Sequence, residues 1–343
     1  MKLDEKSLWK NIKSGTFLPV YLIVGDENYL KQKYANLLAD SVVPAGLETF
    51  NVHKLKGEDT SVEEIVDCVE ALPAMCEQSV VLVHDLDFGS LDNSDDLIAL
   101  LSDLPSSCVL IFWQDTKAFS KKTNACKEMW KLIEKAGAVC ELNKRSSGEL
   151  LKFVRGESQK RGCSMTEEVA TYLISSVGED MSCLLNEIDK LCAFCPGMIT
   201  IPAIDKICVK SVEANTFDMI DAMLVNDFDR AFSLLSILFS QKTEPTMILG
   251  AMVSTYVDMY RAKLCETSGH KLSEVASLFP GTYKNDYRLK KALGRAKKYS
   301  LKSLALSLEI LGKADFKLKS SFVDNKVVME KLLIELAKAR KVK

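Results

Sequence analysis

Hydrophobic positions in the first 145 residues come in short, dense runs separated by longer amphipathic stretches. The runs are Val20 to Val24, Phe50 to His53, Val80 to Val83, Val109 to Trp113 and Ala138 to Cys140. Near-continuous β-branched runs of this length suit strands buried on both faces of a parallel sheet. Helical periodicity falls between them, over residues 28–43, 61–71, 93–103 and 122–136. Strand and helix alternate throughout, which predicts a parallel, doubly wound α/β head over residues 1–145.

From Ser146 the alternation stops and helical spacing takes over. Ser146 and Ser147 can cap a helix through Leu150, Leu151, Phe153 and Val154, while Thr166 and Asp180 can open two more. Cys195-Pro196-Gly197 ends the third, and a short Met198 to Ile201 segment leads into a small helix near Ile204 to Val209. Residues 146–212 therefore form a small helical domain. The rest, 213–343, reads as a second helical domain with segments at 215–224, 227–240, 245–266, 285–298, 300–319 and 323–340. Their breaks fall at Asn226, Glu244-Pro245, Phe279-Pro280-Gly281 and Ser320-Ser321.

Composition bounds the function classes. A chain of 343 residues with 47% hydrophobic and 27% charged residues is an ordinary globular protein of two or three domains. No apolar run is long enough to span a bilayer, and Asp4 and Glu5 interrupt a signal-peptide pattern, so no membrane contact and a cytoplasmic location are expected. The 11 cysteines are scattered and mostly set in apolar segments, as buried thiols would be. Cys192 and Cys195 form one CxxC, but no second closely spaced pair completes a zinc site. His53, His84 and His270 have no catalytic or ligand spacing, so no metal, cofactor or catalytic group is assigned.

Net charge is only −2, yet it is unevenly spread. Residues 281–343 hold 17 Lys or Arg against 6 Asp or Glu, so an acidic body carries a basic tail. Clustered cations displace counterions from phosphate, which makes nucleic-acid contact one reading and a solvated helical surface the other.

The first strand runs into Gly25-Asp26-Glu27-Asn28-Tyr29-Leu30-Lys31-Gln32, where a nucleotide-binding P-loop would lie. A working loop is GxxxxGK followed by Ser or Thr, with glycines that let backbone N–H groups wrap phosphate and a hydroxyl for magnesium. Gly25 and Lys31 keep the spacing, but Leu30 replaces the second glycine and Gln32 the hydroxyl. Asp85 and Asp87, after the Val80 to Val83 run, are expected to be loop and cap residues rather than magnesium ligands. No intrinsic ATPase is expected.

Several segments together resemble the delta subunits of bacterial DNA polymerase III clamp loaders. They are the Gly25 to Leu30 turn, Leu72-Pro73-Ala74-Met75, Gly178 to Met181 leading into Leu185 to Leu191, and Ala314 to Ser321 followed by Met329 to Leu332. The matches keep their order along nearly the whole chain. The resemblance implies an AAA+-like head, a lid and a collar that assembles with related subunits, delta-prime and tau or gamma. It implies a non-ATPase subunit that opens the ring-shaped sliding clamp (beta) for loading onto primed DNA during replication, as part of the DNA polymerase III holoenzyme. Ser182 departs from the arginine that often follows Asp-Met in the family.

The resemblance also assigns clamp binding to Leu72, Pro73, Ala74 and Met75, where relatives usually carry an aromatic in place of Met75. The bland alternative is that Leu72 and Met75 face the α/β core. Contact with primer-template DNA points to Lys290, Lys291, Arg295, Lys297 and Lys298, with Phe322 either stacking on a base or packing. The competing classes are an ATP-hydrolysing P-loop clamp-loader subunit or related DNA-dependent ATPase, and a free-standing DNA-binding protein using the basic tail.

Overall fold

A computed structural model describes the chain apart from Ala118, Lys121, Lys284, Asn285, Ser321, Phe322 and Lys343. It divides into two compact units, residues 1–150 and 151–343.

In the first unit the order is β1 (Lys2–Leu3), α1 (Glu5–Ser14), β2 (Val20–Val24), α2 (Asn28–Val42), α3 (Glu48–Asn51), β3 (Val52–Lys56), α4 (Val62–Glu70), β4 (Ser79–His84), α5 (Ser94–Ser102), β5 (Cys108–Trp113), α6 (Asn124–Ala136) and β6 (Ala138–Glu141). The six strands form one sheet in the order β1-β6-β2-β5-β4-β3, and every pairing is parallel. Strands β2, β4 and β5 lie inside the sheet and are buried almost throughout, which is why their sequences are unbroken apolar runs. Helix α4 packs Val62, Ile65 and Val69 inward, and α6 packs Cys126, Met129 and Ile133, all within one core that includes Leu22, Val81 and Leu110.

Two readings of this unit need correction. The Phe50 to His53 run is not one strand: Asn51 ends α3 and the strand begins at Val52. As the sheet's edge, β3 alternates half-buried and exposed residues, with Lys54 and Lys56 outward, and so lacks the continuous run used to find it. The second correction adds β1 and α1. Strand β1 has two residues, too few for a periodic signal, but α1 carried one: Asp4 accepts from the Ser7 N–H, Gly15 closes the helix at φ 65°, and Leu8 and Ile12 form the buried stripe between.

The second unit is helical: α7 (Ser147–Lys160, whose first turn belongs to the first unit), α8 (Glu167–Val177), α9 (Met181–Phe194), α10 (Ile201–Ile207), α11 (Val212–Leu224), α12 (Phe228–Ser240), α13 (Pro245–Thr267), α14 (Leu272–Leu278), α15 (Tyr287–Ala296), α16 (Leu301–Ser320) and α17 (Asn325–Ala339). Thr166 and Asp180 cap α8 and α9 as their positions suggested. Helices α11 to α17 share a core built on Met219, Leu235, Met252, Tyr256, Leu311 and Leu333. Helix α14 lies between the expected segments 245–266 and 285–298 and is an addition to them. Among the described residues no helix is long and apolar enough to cross a membrane. No group of three or more His, Cys, Asp or Glu side chains among them is placed to hold a metal ion.

Candidate functional site

The buried stripe of α4 ends at Val69, and one more turn would have carried Leu72 inward as well. Pro73 prevents that turn, because its ring disfavours the helical region for the residue before it. The helix stops at Glu70, Ala71 is extended at ψ 133°, and Leu72 emerges 87% exposed. Met75 follows at 89% exposed, with φ at 63°. The alternative that this pair faces the α/β core is therefore overturned. Phe50, on the neighbouring segment, is exposed as well.

A left-handed φ on a methionine is disfavoured by about 1–2 kcal/mol, so something must hold it. Asn51, which is fully buried, is bonded to the residue before it. Its Oδ1 accepts from the Ala74 N–H at 2.6 Å, and its Nδ2 donates to the carbonyls of Ala74 at 2.9 Å and Leu47 at 3.0 Å. Assigning Asn51 to a strand hid this role. The only available signal was an amide side chain inside an apolar run.

The loop after β2 lies at the opposite, C-terminal edge of the sheet. Gly25 takes φ 124° as the chain passes over Leu142, and the Glu27 N–H donates to the Leu142 carbonyl at 3.0 Å. That N–H belongs to the set that would cradle a phosphate in a working P-loop. Lys31 is 2% exposed and its Nζ donates back to the Gly25 carbonyl at 2.8 Å. Burial pushes its pKa down, although Asp115, Asp85, Asp26 and Glu27 all favour its charge. Leu30 is buried and Gln32 is exposed. The loop is thus closed by its own groups within an acidic surround that repels a triphosphate. Titration with magnesium-ATP is expected to show no binding in the micromolar range by calorimetry, and saturable micromolar binding would restore the ATPase reading.

Asp85 has a structural task. It is 6% exposed, and its carboxylate accepts from the N–H groups of Asp115, Thr116 and Lys117 and from the Thr116 hydroxyl. Burial works to raise its pKa, but these hydrogen bonds outweigh burial and hold it below the ordinary value. Asp87 accepts from the Gly89 N–H at 3.1 Å, as a turn residue does. Because the folded pKa of Asp85 is depressed, its contribution to stability is present above the unfolded value of about 4 and lost as pH falls through the folded one. Asp85→Asn is therefore expected to melt lower than the unaltered chain at pH 7, with the difference closing below about pH 4, in thermal scans across that range.

The basic residues of α15 and its C-terminal turn divide by role. Arg295 forms a bidentate pair with Asp221 at 2.8 and 2.9 Å and lies over the Phe217 ring, so it braces α15 against α11. Lys290 pairs with Asp286 at 3.0 Å, Lys291 lies over Tyr287, and Lys298 reaches the Leu224 carbonyl at 3.5 Å. All three remain exposed, as does Lys297. Phe322 and Ser321 lie outside the described residues.

Residues 21–143 match the family described as "DNA polymerase III, delta subunit", and residues 213–336 match "DNA polymerase III delta subunit, C-terminal domain". The chain is 23% identical over 338 residues to DNA polymerase III subunit delta of Bacillus subtilis, with 96% of each chain covered. It is also 23% identical over 304 residues to the probable DNA polymerase III subunit delta of Aquifex aeolicus, with 84% of each covered. Among solved structures, the fold is similar to the Bacillus subtilis DNA clamp loader delta protein (YqeN), with a TM-score of 0.59 at 22% identity, covering 96% of this chain and 98% of that one.

Proposed function

From the premise that this chain belongs to the family of DNA polymerase III delta subunits, we propose that it is the clamp-loader component that binds and opens the sliding clamp for loading onto primed DNA without hydrolysing ATP. The observation that carries the clamp-binding part is the Leu72 to Met75 turn. Two large apolar side chains stand almost fully in solvent on a turn whose backbone is tied to a buried amide. Exposed apolar anchors on a rigid support are what a protein partner's pocket takes up as a hot spot.

The closed loop at Gly25 supports the non-ATPase part of this reading, since its Lys31 and Glu27 N–H are already engaged within the chain. In this reading residues 1–145 are the AAA+-like head, 146–212 the lid and 213–343 the collar. The shared core of α11 to α17 supports treating the collar as one body. It would assemble with delta-prime and tau or gamma. Lys290, Lys291, Lys297 and Lys298 are its candidates for phosphate contact with primer-template DNA, whereas Arg295 is committed to Asp221. In this reading the protein works in the cytoplasm, beside the bacterial chromosome it helps replicate. Co-elution of the full chain with the sliding clamp of the same organism tests the proposal: a stable complex is expected, and its absence at micromolar concentrations would refute the clamp-binding role.

A further inference from the structure

Resting on that clamp-binding reading, we propose that Asn51 is the positioning residue of the Leu72 to Met75 turn: it aims Met75 at the clamp without touching it. An amide side chain has two N–H donors and an oxygen acceptor, and here all three functions are used. Two of the three bonds meet the backbone of one residue, Ala74, from both sides of its peptide units. That reciprocal pair fixes the orientation of the chain immediately before Met75. The third bond ties the same amide to Leu47, which caps the single-turn helix α3.

Leu72 and Met75 are aimed by different means. Leu72 leaves α4 where Pro73 ends the helix, so its direction follows from a helix packed on the sheet through Ile65 and Val69. Met75 has no such support. Its φ of 63° is a conformation that a free L-residue leaves for the negative-φ regions, and such a move swings the side chain away from its present direction. Within the turn, the Asn51 clasp on Ala74 is the contact that opposes this relaxation. The lock therefore acts by pre-organisation: a turn already in its bound shape loses less freedom on binding. A carboxylate does not replace it. Asp at this position would face the Ala74 and Leu47 carbonyls with an acceptor where a donor is needed.

The test measures affinity of the full chain for the sliding clamp in Asn51→Ala, Met75→Ala and the double variant, at a temperature where each is folded. Asn51→Ala is expected to weaken binding roughly tenfold, and by less than about threefold in the Met75→Ala background, because the side chain it aims is then gone. Equal losses in both backgrounds, or unaltered affinity in folded Asn51→Ala, would overturn the proposal. Hydrogen exchange on the unaltered chain supplies an arm that needs no variant. The Ala74 amide should be protected to a degree comparable with the amides of β4, and exchange at the rate of an open loop overturns the lock. Leu72→Asp with Met75→Asp separates the two levels. Clamp binding that survives this pair defeats the clamp reading itself, whereas binding lost there but untouched by Asn51→Ala defeats only the role of Asn51.

Discussion

Leu72→Asp combined with Met75→Asp is expected to lower affinity for the sliding clamp by at least about a hundredfold. Burying each of these side chains in a partner's pocket is worth about 1.5–3 kcal/mol, and each 1.4 kcal/mol is tenfold in the dissociation constant. Placing a carboxylate in an apolar pocket adds a desolvation cost to that loss. The fold should hardly notice, since both positions are more than four-fifths exposed. Position 75 even gains, because Asp visits the left-handed region more readily than Met, and the φ of 63° is kept. Surface plasmon resonance and a melting curve on the same preparation check both halves. A folded double variant with unchanged clamp affinity would sink the assignment.

The second large effect concerns stability. Gly25→Ala would place a methyl carbon 2.2 Å from the Leu142 carbonyl oxygen and 2.6 Å from its carbon. These are backbone atoms held by the strand-end hydrogen bond from Leu142 N–H to Val24, so no flexible side chain can yield. A φ of 124° adds backbone strain for any L side chain. The expected loss is about 3–4 kcal/mol, seen as a fall on the order of 10 °C in the thermal midpoint of the first unit. Gly46→Ala provides the comparison: its φ of 91° is also left-handed, but nothing lies within 4 Å of the added carbon. That variant should lose only about 1–2 kcal/mol from the strain itself. Equal losses for the two would show that contact with Leu142 is not what fixes the loop.

How far the sequence reveals this molecule depends on whether a feature is local or distant. Interior strands such as Cys108–Trp113 announce themselves because burial on both faces leaves no polar position, and long helices such as Pro245–Thr267 do so through their length. Edge strand β3 hides because Lys54 and Lys56 face water and break its apolar run. At the turn, Pro73 was in plain view, but its consequence for Leu72 depended on knowing that the stripe of α4 ended at Val69. Asn51 was invisible as a clasp, since Ala74 lies 23 residues away and nothing local marks the pairing. Distance along the chain also hides Arg295, whose charge alone suggests phosphate although Asp221, 74 residues earlier, lies beside it. The replacement of a phosphate cradle by Leu30 and Gln32 was legible, but the inward fold of Lys31 onto Gly25 was not.

The parallel sheet carries one more implication. The Gly25 loop follows the C-terminal end of β2, whereas Asn51 and the Leu72 to Met75 turn precede the N-terminal ends of β3 and β4. A strand of five or six residues holds such edges about 17–20 Å apart, beyond the range at which side-chain substitutions usually influence each other. Changes in the two loops therefore have nearly independent energetic effects. A lineage could lose every trace of phosphate chemistry at one rim while the grip at the other kept its shape, and the grip could be retuned for a different ring without disturbing the closed loop.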